Sequence, residues 1–290
     1  MSSFGYDQLL ERVNALGPPF ETGSIGQSAE GRLIPFVRTG EGRPVLLIVG
    51  GFHAREHITV PLVLGLIRPF PFGTVFFVPC LNVDGLELCQ NGLSSVSSPA
   101  RRKFLRAVNG GSADFSLWKA NADAVDLNLN FPSGFGKGKG NLFAPAPQGY
   151  VGPCPLSEPE SLALAAFTAA VRAEAVLTFH SKGEVIFWRY GQKGGRLRRD
   201  RALARRLGKV SGYALAESPE SHGGYKDWCV EVLNIPAFTV EVGAESWPHP
   251  LDHSLLPKIL PQCRAMPGEV LDFLRKEDGR KRKMDAGSPA

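Results

Sequence analysis

The chain lacks most of the features that would place it in a special class. Its five cysteines (Cys80, Cys89, Cys154, Cys229 and Cys263) are an odd number, and none stand in C-x-x-C spacing. That excludes a disulfide framework and a thiolate zinc site, and a reducing, cytoplasmic setting is the simplest expectation. No apolar run approaches the ~20 residues of a membrane helix, so no membrane partner is expected. The opening segment M-S-S-F-G-Y-D-Q-L-L-E-R shows no basic stretch followed by an apolar one, which argues against a signal peptide. The net charge of +5 gathers mainly in 196–209 and 275–283, without interleaved aromatics. No nucleic-acid partner is expected on that pattern.

What the chain has is a hydrophobic content of 43%, enough for a sizeable core, in 290 residues. Helical spacing of Leu9, Leu10, Val13 and Leu16 stops at Gly17-Pro18-Pro19, and 20–40 reads as a hairpin around Ala29-Glu30-Gly31-Arg32. Strands are expected at 45–49, 74–79, 175–179, 185–188 and 237–242. Helices are expected from the turn after 53 to about 67, and over 198–211 and 224–233. Ser157-Glu158-Pro159-Glu160 reads as a capping box that starts a further helix to about Arg172. Residues 86–118, rich in Gly, Ser and Asn, read as a long surface excursion. A last helical region is interrupted by Pro261 and Pro267. Strands alternating with helices predict an α/β, single-domain three-layer sandwich with a mixed, mostly parallel sheet. The domain is expected over 1–276, with 1–40 belonging to it and 277–290 a disordered basic tail.

The chemistry-bearing stretch is Val45–His57, V-L-L-I-V-G-G-F-H-A-R-E-H. A buried strand ends at two glycines, and His53 and Glu56 follow in the turn. Functional groups collect at the carboxyl edge of such sheets. An imidazole and a carboxylate three residues apart can converge on one cation, and a His₂Glu set with one open position is the catalytic zinc pattern. Of the other histidines only His180 repeats the context, after Ala175-Val176-Leu177-Thr178-Phe179 and before Ser181-Lys182-Gly183. A third strand, Phe238–Gly243, places Glu241 among apolar neighbours, which is costly unless the carboxylate is paired, protonated or beside a metal. Each residue alone has a bland structural reading; three strand ends delivering ligand- or base-type groups together point to a hydrolase. A competing parse, H-x-x-E-H over His53–His57, would make both histidines ligands. It needs both on one helical face, whereas Gly50-Gly51 put His53 in a turn.

The ordered set His53/Glu56, His180-Ser181-Lys182-Gly183 and Thr239-Val240-Glu241 resembles the zinc carboxypeptidase family, peptidase family M14. Asn82-Val83-Asp84-Gly85 and Val125-Asp126-Leu127-Asn128-Leu129-Asn130-Phe131 resemble two further family segments. The resemblance runs from about 20 to 275. It implies a zinc carboxypeptidase-like fold, one Zn²⁺ held by His53, Glu56 and His180, and His57 as a bystander. Glu241 would be the general base and Lys119 the cation beside the oxyanion. W-K-A-N at 118–121, H-S-K-G-E at 180–184 and G-G-Y-K-D-W at 223–228 look like the bacterial γ-D-glutamyl-meso-diaminopimelate peptidases. That implies a peptide substrate, specifically a soluble muropeptide, with Asn128, Tyr225 and Lys226 in substrate binding. Lys226 would meet an acidic group on the leaving side, and Asp126 would only shape its turn. Leu129 stands where the family's Arg grips a terminal carboxylate, so endopeptidase action is expected over strict carboxypeptidase action. A zinc deacylase of N-acyl amino acids and a silent zinc or muropeptide binder are the rival readings.

Overall fold

The computed structural model describes residues 4–217 and 220–286. The chain runs α1 (Tyr6–Asn14), β1 (Glu21–Gln27), β2 (Leu33–Glu41), β3 (Val45–Val49), α2 (Thr59–Leu66), β4 (Gly73–Val78), α3 (Val83–Asn91) and α4 (Pro99–Val108). It continues through α5 (Pro159–Ala170), β5 (Ala175–His180), β6 (Val185–Arg189), α6 (Gly194–Ser211), β7 (Ala214–Glu217), α7 (Tyr225–Glu231), β8 (Ala237–Glu241), α8 (Leu256–Cys263) and α9 (Met266–Ala286). The strands form one sheet in the order β1-β2-β4-β3-β5-β8-β6-β7. Pairings β3–β4, β3–β5, β5–β8 and β6–β7 are parallel, and the rest are antiparallel. Every residue of β5 is buried, so both faces of the sheet centre are covered by helices. A strand covered on one face only would alternate. This is the expected three-layer α/β sandwich.

Two features of the fold aim the site. In parallel register β5 and β8 set His180 directly opposite Glu241, and β3 runs alongside with Val49 opposite Thr178. Three adjacent strands therefore end at one edge. At the end of β3 the backbone is too crowded for a side chain. A Cβ on Gly50 would lie 2.8 Å from the Pro79 carbonyl and 2.9 Å from that of Thr59, and Gly51 has φ +58°. Only glycine tolerates both demands, and the sharp exit throws His53 off the sheet edge. Asn82 then ties the turn down. Its Oδ1 accepts from Gly85 N at the start of α3, while its Nδ2 donates to the carbonyls of Phe52 and Ala120.

The fold departs from the sequence expectations in four places. Residues 86–118 are no mere excursion: α3 and α4 close a second small core of Ala54, Leu88, Val96, Leu105, Phe115, Trp118, Ala120 and Ala124. Its apolar residues are too widely spaced for periodicity to reveal them. The N-cap of α5 is Glu158, not Ser157, whose hydroxyl instead donates to Glu158 Oε1. Pro159 at the first helical position fixes that start. The short edge strand β7 carries no apolar alternation and was not foreseen. The segment expected to be a disordered tail continues α9 as far as Ala286, because Lys, Arg and Glu are good helix formers once Val270, Leu271 and Phe273 anchor the first turns. Residues 287–290 of that expectation lie outside the described residues. All five cysteines are unbridged, and no helix among the described residues is long and apolar enough to cross a membrane.

Candidate active site

His53, Glu56 and His180 converge at the sheet edge, with one donor atom from each lying within 4.8 Å of the others. Nδ1 of His53 is 2.8 Å from Glu56 Oε1, Nδ1 of His180 is 3.1 Å from Glu56 Oε2, and the two Nδ1 atoms are 3.2 Å apart. Both imidazoles thus turn the same nitrogen inward. All three side chains are buried, and Ser181 N donates to Glu56 Oε2 at 3.2 Å. Burial disfavours the His53 cation, but Glu56 and Asp126 together outweigh it and lift the imidazole above its ordinary range. Burial likewise opposes ionisation of Glu56, yet His53 and His180 hold its carboxyl well below the usual range. Burial pushes His180 down. Two imidazole nitrogens and a carboxylate suit a zinc ion, which takes imidazole in its neutral form.

The arrangement behind His53 fits a metal as well. Its Nε2 lies 3.1 Å from Asp126 Oδ1, which fixes the ring and leaves Nδ1 for the cluster. Asp126 is buried and also meets Lys119 Nζ at 3.1 Å, Asn128 N and Gly149 N. Burial is outweighed by Lys119 and His53, which hold the Asp126 carboxyl far below its usual range. Sequence reasoning gave this residue only a turn; its place two residues before Asn128, after Lys119, was the available signal. Burial disfavours the Lys119 cation, but Asp126 and then Glu56 together outweigh it and raise the ammonium above its ordinary range.

Glu241 faces the same cavity, of about 640 Å³, as His53, Glu56, Lys119 and Asn128. Burial, then the charge of Glu56, raise its carboxyl well above the usual range. Glu241 and Asn128 also line a smaller cavity of about 160 Å³ with Phe187, Lys226, Asp227 and Thr239. Lys226 is buried, its Nζ paired with Asp227 and donating to the Arg189 carbonyl at 3.3 Å. Asn128 Oδ1 accepts from Tyr225 N at 3.2 Å.

Two expectations about histidine and tyrosine are decided by position. His57 is outside the cluster: its Nδ1 is 2.7 Å from His253 Nε2, and burial and then His253 lower it to about 4. The expected substrate-binding role of Tyr225 is not met. Its ring is 0% exposed among Phe52, Phe131 and Trp228, and its hydroxyl is bonded to Thr168 Oγ1 at 2.7 Å. At the first position of α7 it points into the core, and only its backbone N–H reaches toward the site.

A sequence profile described as zinc carboxypeptidase matches residues 6–71 and 73–260. Gamma-D-glutamyl-L-diamino acid endopeptidase 1 of Lysinibacillus sphaericus is 32% identical over 86% of this chain and 68% of its own length. Carboxypeptidase A5 of Homo sapiens is 29% identical over 58% of this chain and 39% of its own. Bovine thrombin-activatable fibrinolysis inhibitor superposes with a TM-score of 0.73 at 20% identity, over 93% of this chain and 94% of that one. Murein-tripeptide amidase MpaA from Escherichia coli O157 superposes with a TM-score of 0.59 at 22% identity, over 91% and 98%. These two likenesses speak to the fold, which they share with this chain. With a profile spanning most of its length and a His-Glu-His group able to hold the metal, the chain belongs to the zinc carboxypeptidase family and is a zinc metallopeptidase.

Proposed function

We propose that the enzyme hydrolyses the γ-D-glutamyl–diaminopimelate bond of peptidoglycan-derived peptides, with His53, Glu56 and His180 as the zinc ligands. The observation that carries this reading is the floor of the cavity beside Glu241. It presents the buried Lys226–Asp227 pair, a surface suited to a leaving residue that itself carries charge. The Lysinibacillus relative, named as a γ-D-glutamyl-L-diamino acid endopeptidase, supports the same bond. Leu129 in place of a carboxylate-gripping Arg supports it further, since a Leu cannot hold a terminal carboxylate.

Bound zinc supplies Lewis acidity and lowers the pKa of water toward ~7. The protein's own groups do the rest. Glu241, with a carboxyl raised by burial, takes the proton of the attacking water and returns it to the leaving amine. Lys119, held charged by Asp126, sits on the wall of the same cavity and offsets the oxyanion's charge. Asp126 orients His53, and Asn128, fixed by Tyr225 N, positions the substrate between the two cavities. The unbridged cysteines support a cytoplasmic location and hence soluble muropeptides as substrates.

The experiment is mass spectrometry of L-Ala-γ-D-Glu-meso-diaminopimelate incubated with the protein, with and without chelator. Chelator-sensitive release of diaminopimelate is expected. No release, beside cleavage of an ordinary C-terminal residue or of an N-acyl amino acid, would overturn the reading in favour of a carboxypeptidase or a deacylase.

A further inference from the structure

The cavity over His53, Glu56 and His180 has three cationic side chains on its wall, Arg55, Lys119 and Lys182. They are not equally neutralised. Lys119 pairs with Asp126 at 3.1 Å, and Lys182 pairs with Glu245 at 3.3 Å. Arg55 meets no carboxylate among the described residues. Its Nη1 donates to the neutral Gln148 Oε1 at 3.1 Å, and its shielded Nε has no acceptor at all. A guanidinium with unused donors and no counter-charge is a ready fork for a carboxylate. Its root is rigid, because Ala54 N and Arg55 N donate to the carbonyls of Lys119 and Trp118 at 3.2 and 2.9 Å. Arg55 therefore stands between two residues of the His-Glu-His group with its charge felt at Glu241, Lys119 and His249.

The Lys226–Asp227 cavity and this one share Asn128, Phe187 and Glu241, so a substrate cut beside Glu241 has one half in each. The half opposite the diamino acid is the glutamyl residue. When glutamate is linked through its side-chain carbonyl, its α-carboxylate stays free, a short methylene arm from the bond to be cut. An α-linked glutamate offers a neutral amide carbonyl instead. We propose that Arg55 is a specificity residue on the acyl side, its guanidinium gripping the free α-carboxylate and thereby selecting γ-linked over α-linked peptides. This rests on the γ-glutamyl reading above and goes beyond it by naming the group that is read.

The test compares L-Ala-γ-D-Glu-meso-diaminopimelate with the same peptide carrying a primary amide in place of that α-carboxylate. The wild-type protein is expected to favour the free carboxylate by ~10–100-fold in kcat/KM, the range of a charge-assisted bidentate contact. Arg55→Gln should bring that ratio near unity with zinc content retained. Arg55→Lys, which keeps the charge without the fork, should restore part of it. No preference in the wild type would overturn the proposal, as would an Arg55→Gln protein slower on both substrates with the ratio kept. Should Arg55→Gln lose zinc or fold poorly, the ratio in Arg55→Lys decides alone: unchanged from wild type, it overturns the proposal. Zinc-dependent cleavage of other peptides but of neither test substrate would remove the γ-glutamyl reading itself, and this inference with it.

Discussion

Asp126→Asn keeps the shape of a side chain that serves four donors and removes its charge. Oδ1 takes His53 Nε2 at 3.1 Å and Asn128 N at 3.3 Å, while Oδ2 takes Lys119 Nζ at 3.1 Å and Gly149 N at 3.3 Å. An amide has one acceptor oxygen, so two of these donors must face its NH₂. With the oxygen toward His53, the Lys119 ammonium loses its counter-ion. With the oxygen toward Lys119, the imidazole meets a donor, its tautomer inverts, and the proton lands on Nδ1 where a ligand lone pair is needed. Removing a carboxylate behind a ligating histidine costs ~10–100-fold in metal affinity, which at ~1.4 kcal/mol per decade is about 1.4–2.8 kcal/mol. Breaking a buried pair from one side costs ~3–5 kcal/mol in a sealed site. The Lys119 side chain is 24% exposed, so water relieves part of this and the metal-free variant should fall below that range. Zinc affinity by competition with a chromophoric chelator, urea unfolding of metal-free protein and kcat/KM read the three effects. Native zinc affinity, within about threefold, together with native stability would refute the reasoning.

Glu241→Gln should hold zinc yet lose ~10²–10⁴ in kcat, the usual share of a proton-shuttling group, whereas His180→Ala should lose both metal and turnover. Metal analysis beside activity separates them, and a fully active Glu241→Gln would end the proposed mechanism. Tyr225→Phe removes one buried hydrogen bond, to Thr168, and should cost about 1 kcal/mol in urea unfolding while leaving KM unchanged. A raised KM would instead return Tyr225 to the substrate. Burial raises the Glu160 carboxyl to about 8, above the 4.5 of the unfolded chain, so the folded protein keeps a proton the unfolded chain releases. That contribution is full below pH 4.5 and is lost as pH rises toward 8, at up to ~1.4 kcal/mol per pH unit. Stability of wild type minus Glu160→Gln should therefore decline across this window, and a flat difference would contradict the assignment.

The residues that could be placed from the sequence are those whose context is local. His53, His180 and Glu241 each lie at or near the end of a largely apolar run, and a run that ends in Gly-Gly or in a turn marks a sheet edge without knowledge of its neighbours. The parallel register that sets His180 opposite Glu241 follows from such runs lying side by side. Asp126 was opaque because its partners, His53 and Lys119, become neighbours only after 118–149 folds back over the edge. Tyr225 misled for a different reason. It sits in a motif flanking the site, but one step along a helix rotates a side chain by about 100°, so Tyr225 enters the core while Lys226 enters the cavity. The second core escaped notice because its residues come from separate segments, none periodic over its own length. The helix as far as Ala286 is the contribution of propensity, a signal that a charge count alone hides.

The turn bearing His53 and Glu56 lies on the seam between two cores. Phe52 belongs to the large one, and Ala54, two residues on, belongs to the small one with Trp118 and Ala120. The hold of the chain on its metal is therefore kinetically hostage to the weaker partner, since loosening the small core frees one side of the turn while the sheet stays intact. Damage at Leu105 or Phe115, which belong to the small core and not to the donor cluster, would register as faster zinc escape rather than as altered chemistry.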